Sequence, residues 1–299
     1  MRRFIVRVIA CTLLLVTVCA LYAQQGSSQQ PQRQPNAPIT VQNIKGNIYQ
    51  VKGGAGANTG FFVANKDVLV IDAKMTEESA KEMIAAIKKI SPNPIDYVAL
   101  THRVVDQVNG LVGFPPGVDI IAQTNTRSDM EKAFVSEKER AFLPATTFTD
   151  KMSLFFGVGA TTERVDLLYF GPAHTSGDAV IFFPTERVAF IGDLLFLGRD
   201  PLIHRAKNGT SFGLVHVLKS LLTLDVDTFL SGHNDPASKK EIQDMIHSIE
   251  EKQAKIQSLI EEGKSLDDVK KAFNVETPNG GARWPSLVEV IYLELTEKK

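Results

Sequence analysis

Histidine and aspartate side chains stand in several separate turns of this chain, and each turn ends or interrupts an apolar run. The first such turn carries both His102 and Asp106. Later turns carry His174, Asp193 and His233, each close to a glycine, where the backbone can change direction sharply. Neutral imidazole nitrogens and carboxylate oxygens are ligands of divalent metal ions. The pattern therefore predicts a metal site assembled from distant segments of the chain.

The elements before these turns have the character of buried strands. Short apolar runs such as Val98–Leu100 alternate along the chain with segments of helical periodicity, which is typical of a layered α/β domain. Turn residues Lys45–Asn47 predict a hairpin, and apolar spacing predicts helices over Thr76–Ile90 and Val215–Leu224. Because sites in α/β folds lie at the ends of strands, we expect the turns to meet at one sheet edge.

With these residues, the chain resembles the metallo-β-lactamase superfamily over about residues 48–233. That family carries His-x-His-x-Asp-His on its first metal loop, then a His, a bridging Asp and a final His. The residues that match this pattern are His102, Asp106, His174, Asp193 and His233. The resemblance implies a four-layered αββα sandwich, in which two mixed sheets lie face to face with helices outside and the site at one edge.

Two positions depart from the family pattern. Val104 stands in place of the second His, and Gln107 in place of the His after Asp106. Gln123 is a third departure, because related proteins carry a His near this position. A glutamine amide is a poor substitute for imidazole at zinc, and catalytic zinc normally has three protein ligands. We therefore expect one zinc ion rather than two, with manganese, iron or a metal-free protein as alternatives.

The resemblance implies metal-dependent hydrolysis of a small-molecule ester, lactone, thioester or amide through an activated water. Asp106 is the predicted catalytic residue, because the family uses this Asp to orient the water or accept its proton. The departures at Val104 and Gln107 support two alternatives: a catalytically inactive relative retained as a binding protein, or a variant of an active parent with exchanged ligands.

Several residues near the predicted site have supporting roles by the same resemblance. Asp72 either orients the metal loop or serves as a turn residue, and Asp178 supports His174 by hydrogen bonding. The glycine-rich loop 53–56 is expected to overhang the site as a substrate flap. His204 is placed in a loop near the site, where it either contacts substrate or is simply exposed.

Composition limits the classes of partner. The 299 residues include 43% hydrophobic and 22% charged residues, with a net charge of -1. No basic patch stands out, so we expect no nucleic-acid partner. The sequence does not indicate the oligomeric state.

The first residues have the features of a secretory signal peptide. Arg2, Arg3 and Arg7 precede the apolar run Val8–Leu21, and the predicted signal peptide covers residues 1–23, with an uncleaved anchor as the alternative. It contains both cysteines, so the mature chain has no thiolate ligand. We expect export across the inner membrane to the periplasm or the extracellular space, and no membrane contact after cleavage.

The remaining chain is expected to form three parts. Residues 24–38 are polar and are predicted to form a disordered linker. Residues 39–237 are predicted to form the metallo-β-lactamase-like domain. Residues 238–299 are predicted to form a C-terminal helical extension that packs on the same core. Within the domain, the first half ends near Asp150 and the second begins near Met152.

Overall fold

Two β-sheets lie face to face in this protein, and each sheet is built from one continuous half of the domain. The computed structural model describes residues 37–159, 162–275 and 284–297. In that part of the chain, the first sheet contains seven strands: β1 (Thr40–Lys45), β2 (Ile48–Lys52), β3 (Thr59–Val63), β4 (Val68–Ile71), β5 (Ile95–Ala99), β6 (Asp119–Gln123) and β7 (Thr146–Phe148). The second sheet contains five: β8 (Lys151–Phe156), β9 (Glu163–Tyr169), β10 (Ala179–Phe183), β11 (Val188–Gly192) and β12 (Thr228–Ser231).

Strand pairing makes both sheets mixed, as predicted. Strands β1 to β4 pair antiparallel in order, whereas β4 to β7 are parallel neighbours. In the second sheet β8 to β11 are antiparallel and β12 lies parallel to β11. The hairpin predicted around Lys45–Asn47 is confirmed by the pairing of β1 with β2. The first sheet ends at Phe148 and the second begins at Lys151, which confirms the predicted boundary between the halves.

Helices cover the outer faces of the sheets. In chain order the described helices and 3₁₀ turns are α1 (Glu77–Lys88), α2 (Val105–Val108), a 3₁₀ turn (Asn109–Gly113), α3 (Thr124–Ala133), α4 (Glu137–Arg140), a second 3₁₀ turn (Arg205–Lys207), α5 (Ser211–Thr223), α6 (Lys239–Glu261), α7 (Leu266–Ala272) and α8 (Leu287–Thr296). Serine capping boxes at Ser238, Ser265 and Ser286 begin α6, α7 and α8 and satisfy their first backbone N–H groups.

Three apolar clusters divide the domain into four layers. The middle cluster lies between the sheets, where Phe62 and Leu69 of the first sheet pack with Ile181 of the second. A second cluster joins the outer face of the first sheet to α1. A third joins the outer face of the second sheet to α5, α6 and α8. The arrangement is the αββα sandwich that the sequence predicted, with the C-terminal helices packed on its last layer.

Some local predictions differ from the structure. The helix predicted to begin at Val215 begins at Ser211, because the Thr210 side chain accepts a hydrogen bond from the Gly213 N–H and caps it. Gly213 interrupts the apolar pattern, so the sequence concealed this first turn. The residues after His102 form the short helix α2 rather than an open turn. Short elements such as β7 and α4 have no apolar period long enough to detect.

Parts of the predicted N-terminal region lie outside the described residues. They comprise the signal peptide over residues 1–23 and residues 24–36 of the linker, which therefore remain predictions. Within the described ranges, no helix has the length and apolar content needed to cross a lipid bilayer.

Removing side-chain volume from α8 tests whether the C-terminal helices belong to the same core. Ile291 is fully buried among side chains of the second sheet and α6. We expect Ile291→Ala to lower the free energy of unfolding by about 2–5 kcal/mol, because the cavity removes packing contacts. Urea unfolding monitored by far-UV circular dichroism measures the loss.

The matched control is Ile90→Ala, which removes the same atoms from a side chain that is 41% exposed. We expect a loss of about 1 kcal/mol there. A separate early transition in Ile291→Ala, with the main transition unchanged, would contradict a shared core.

Candidate functional site

The first metal loop is held in place by a buried aspartate at the end of β4. Asp72 accepts a hydrogen bond from the Thr101 N–H and another from the Thr101 hydroxyl, both at 2.8 Å. Burial raises the pKa of Asp72 to about 8, although both hydrogen bonds from Thr101 favour the charged carboxylate. The structure thus confirms the expectation that Asp72 orients this loop.

The same threonine fixes the orientation and the tautomer of His102. The Thr101 hydroxyl hydrogen is used toward Asp72, so its oxygen accepts from His102 Nδ1 at 3.1 Å. This arrangement leaves His102 Nε2 as the unprotonated nitrogen, which is buried and has no hydrogen-bond partner. Burial lowers the pKa of His102 to about 4, so the ring is neutral near neutral pH.

His174 is prepared in the same way by a different element. Its Nδ1 lies 2.6 Å from the carbonyl oxygen of Leu202, which can only accept, so Nδ1 carries the hydrogen. Nε2 is again buried without a partner. The turn is held by Asp178, which accepts hydrogen bonds from the Ala173 and Thr175 N–H groups and from the Thr175 hydroxyl. Asp178 therefore supports His174, as expected.

Asp193, at the end of β11, brings the two histidines together. Its Oδ2 lies 3.8 Å from His102 Nε2 and 3.7 Å from His174 Nε2. Two ligands of a tetrahedral zinc ion, with bonds of about 2.1 Å, stand roughly 3.4 Å apart. Two buried imidazole nitrogens without partners, facing a buried carboxylate at nearly this spacing, fit a divalent metal ion.

A second group of ligand-type residues shares the same carboxylate. His233 Nε2 lies 3.0 Å from Asp193 Oδ2 and 3.3 Å from Asp106 Oδ2. The contacts with Asp106 and Asp193 raise the pKa of His233 to about 10. Burial opposes ionisation of Asp193, but the His233 contact and the neighbouring histidines hold its pKa below the usual value. The ring of Phe196 stacks on the ring of His233, with 5.6 Å between the two ring centroids.

Gln107 does not replace the missing histidine as a ligand in this arrangement. Its Nε2 donates to Asp193 Oδ1 at 2.9 Å, while its Oε1 is buried without a partner. Gly232 makes this contact possible, because a Cβ there would lie 2.3 Å from Asp193 Oδ1 and 2.7 Å from Gln107 Nε2. Sequence comparison identified Gln107 as a departure but did not indicate that it binds the bridging aspartate.

Gln123 and His204 take positions that the sequence left open. Gln123 caps α3: its Oε1 accepts from the Asn125 N–H, and its Nε2 donates to Thr149 O at 3.1 Å. His204 is buried, with its ring centroid 4.6 Å from His174 and 4.3 Å from Trp284. The sequence placed His204 near the site, and the structure confirms that position.

The glycine-rich loop beside the site is tied to the domain by a buried lysine. The Lys74 ammonium donates to Gly53 O and Ala57 O at 2.8 Å and to Val51 O at 3.4 Å. The Ala57 N–H donates to Asp106 O at 3.2 Å, so the loop also contacts the metal loop. The glycine-rich loop lies beside the site, as expected. The hydrogen bonds to Lys74 and Asp106 hold the loop in place, although the sequence predicted a substrate flap there. No sequence signal identified Lys74, because a lysine in a turn normally indicates exposure.

A family model described as the metallo-beta-lactamase superfamily matches residues 53–233. The chain is 23% identical over 206 residues to the 2,4-dinitroanisole O-demethylase subunit alpha of Nocardioides sp. (strain JS1661), covering 69% of this chain. The chain spans only 60% of the length of that subunit. It is 24% identical over 238 residues to a metallo-beta-lactamase type 2 of Elizabethkingia meningoseptica, covering 74% of this chain and 89% of that protein.

Solved structures share the fold at low identity. A metallo-beta-lactamase from Pontibacter korlensis has a TM-score of 0.60 and 15% identity, covering 71% of this chain and 99% of that one. The DIM-1 metallo-beta-lactamase exposed to ceftazidime also has a TM-score of 0.60, with 12% identity and coverage of 73% and 99%. At these identities the likeness concerns the fold alone.

The ion pair of His233 predicts a pH dependence of the metal-free protein. A histidine whose pKa rises on folding stabilises the fold fully below its unfolded pKa of about 6.5. Since the folded pKa of His233 is about 10, we expect this contribution to decline as pH rises from about 6.5 through 10. Imidazole NMR titration and thermal unfolding across this range measure both effects.

The Asp106→Asn variant provides the comparison for this titration. Removing one of the two carboxylates should lower the pKa of His233, while the exposed His216 on α5 serves as an internal reference. A His233 ring that titrates near 6.5 in the metal-free protein would contradict the ion pair.

Proposed function

The chain belongs to the metallo-beta-lactamase superfamily, and from this premise we propose that it is a metal-dependent hydrolase of a small ester, lactone, thioester or amide. The observation that carries the proposal is the pair of buried, unpartnered nitrogens, His102 Nε2 and His174 Nε2, which face Asp193 Oδ2. Unpaired buried acceptors are unfavourable in a folded protein unless a ligand satisfies them. A divalent cation satisfies both.

We further propose that one ion binds, at His102, His174 and Asp193. A second ion would lack ligands, because Val104 and Gln107 replace two of the family's histidines. Gln107 donates to Asp193 Oδ1, so only Oδ2, which His233 also contacts, faces the two unpartnered histidine nitrogens. A flipped amide would place Gln107 Oε1 against the carboxylate, so chemistry selects the observed orientation. Two imidazoles and one carboxylate favour zinc, with manganese or iron as the alternatives.

The residues around this position have distinct tasks in the proposed reaction. A bound divalent ion would supply a Lewis acid that activates water and stabilises negative charge developing on the substrate. Asp106, whose side chain is 19% exposed, lies at the open side of the cluster and accepts the proton of the attacking water. His233 contacts Asp106 and Asp193 and keeps both carboxylates in position.

The relatives suggest a range of substrates to test. One relative is named a β-lactamase and another an O-demethylase of 2,4-dinitroanisole, so a cyclic amide and an aryl methyl ether join the proposed classes. A suitable panel is 4-nitrophenyl acetate, a γ-lactone, a β-lactam and 2,4-dinitroanisole.

The alternative function is binding without catalysis. It is favoured by the replacement of family histidines at Val104 and Gln107, which removes one imidazole from each family metal position. A protein of this kind would retain the fold but neither bind metal tightly nor turn over any member of the panel.

Metal content separates these alternatives. We expect the protein, equilibrated with micromolar zinc and freed of excess, to retain close to one zinc ion per chain by mass spectrometry. His174→Ala should lose most of this zinc, because it removes one of three ligands from the buried group.

Two further variants sharpen this measurement. His216→Ala removes an exposed histidine from α5 and should leave the zinc content unchanged. Gln107→His frees Asp193 Oδ1 and adds an imidazole, so the content should rise toward two ions. Absence of retained zinc in the unsubstituted protein would refute the hydrolase proposal.

Activity tests the role of Asp106. On the panel member with the highest turnover, we expect Asp106→Asn to lower kcat about 10²–10⁴-fold, because the amide cannot accept the proton of water. Zinc content should stay near that of the parent, since Asp106 lies outside the His102–His174–Asp193 group.

The matched control is Asp267→Asn, the same change at an exposed position of α7. Its kcat should equal that of the parent. An unchanged kcat in Asp106→Asn would exclude this carboxylate from the chemical step.

A further inference from the structure

Two basic side chains near the metal cluster have no carboxylate partner in the part of the chain that the structure describes. We propose that Arg103 and Lys207 together bind an oxyanion group of the substrate. The oxyanion is a carboxylate or a phosphate, which present the same paired oxygen acceptors. Assigning this anion to the substrate rests on the proposed hydrolysis, whereas the anion site itself does not.

Both residues lie on segments attached to the metal-binding histidines. Arg103 directly follows His102 in the metal loop. Lys207 ends the 3₁₀ turn after His204, and the His204 N–H donates to the carbonyl of His174 at 2.8 Å. The Lys207 ammonium donates to the Arg103 carbonyl at 2.7 Å, which joins the two segments. A ligand between these side chains would therefore lie beside the cluster.

Their environment is unfavourable for two cations without an anion. Both side chains are only partly exposed. Arg103 Nε is buried and has no hydrogen-bond partner, and within the described residues neither cation lies within 4.0 Å of a carboxylate oxygen. Burial and then the charge of Arg103 lower the pKa of Lys207 to about 8. Burying like charges side by side costs free energy that an anionic ligand recovers.

The carboxylates within electrostatic reach are already engaged elsewhere. Asp129 acts on both cations at a distance, yet it accepts from Lys132 and from the Ser176 hydroxyl, each at 3.2 Å. Glu139 caps α4 through Ser136. Asp178 holds the turn of His174, and Asp106 pairs with His233, as described above. The positive charge therefore remains available to an external anion.

The geometry of the two groups suits an oxyanion. An arginine side chain presents a planar fork of N–H donors that matches paired oxygens, and an ammonium adds further donors without a fixed direction. Among the described residues, Lys207 donates one hydrogen bond, to the Arg103 carbonyl, and Arg103 Nε–H donates none. A substrate held here by a terminal oxyanion would present its cleavable bond to the neighbouring cluster.

Inorganic phosphate is the direct probe of the anion site. Titration into the full metal-free chain, followed by calorimetry, gives the dissociation constant without any dependence on hydrolysis. We expect Arg103→Gln and Lys207→Gln each to weaken phosphate binding at least about tenfold, because a charged hydrogen bond is worth more than 1.4 kcal/mol. Circular dichroism confirms folding, and Lys207→Gln alone suffices if Arg103→Gln does not fold.

Lys219→Gln is the matched control, since it removes one lysine charge from the exposed face of α5. Its phosphate affinity should equal that of the parent. If all variants bind phosphate as tightly as the parent, binding does not depend on Arg103 or Lys207, and the proposal is overturned. If Lys219→Gln loses as much affinity as Lys207→Gln, binding depends on net charge alone, and the proposal is overturned as well.

A pair of esters tests whether the anion belongs to the substrate. In the zinc-loaded protein we compare kcat/KM for mono-4-nitrophenyl succinate, which carries a carboxylate, with that for 4-nitrophenyl acetate. The succinate-to-acetate ratio should fall about tenfold in Lys207→Gln and stay constant in Lys219→Gln. A constant ratio in both would overturn the assignment to substrate. Phosphate binding that depends on Lys207, with no hydrolysis of either ester, would instead contradict the proposed function and keep the anion site.

Discussion

A buried carboxylate, Asp193, is the constraint on which the rest of the site depends. A charge in the interior of a protein is costly unless opposite charge and hydrogen bonds surround it. In the described structure the opposite charge comes from His233 after β12, and a hydrogen bond comes from Gln107 on α2. The Nε2 atoms of His102 and His174 face the same carboxylate. The convergence of strand ends at one edge of the sandwich therefore serves a specific electrostatic need, and each contributing turn is fixed by it.

His102 and His174 are already oriented as a divalent metal ion would need them. The Thr101 hydroxyl and the Leu202 carbonyl each hold one ring nitrogen, which leaves the other free of hydrogen and directed at Asp193. Such outer contacts select the tautomer and reduce the reorganisation that binding requires. The replacements at Val104 and Gln107 therefore alter the number of ligands without disturbing the orientation of those that remain.

Sequence patterns predicted most of the layered fold and the turns of the site. Apolar runs identify buried strands, and the spacing of His and Asp identifies which turns meet. The contacts of individual side chains were not predictable, because spacing does not determine rotamers or partners. Gln107 illustrates this limit: the sequence shows that an imidazole is missing, but only the structure shows the amide bound to Asp193. Lys74 is a second case, since two of its carbonyl partners, Gly53 and Ala57, lie upstream in a loop whose path the sequence does not fix.

The edge contact between Trp284 and His204 has an optical consequence. Trp284 is the only tryptophan of the chain, and its ring lies 4.3 Å from His204, which in turn lies 4.6 Å from His174. Indole emission responds to nearby charge and solvent, and the single indole of this chain lies two rings away from the His and Asp cluster. The protein thus carries an intrinsic spectroscopic label, and events at the cluster can be followed in real time without chemical modification.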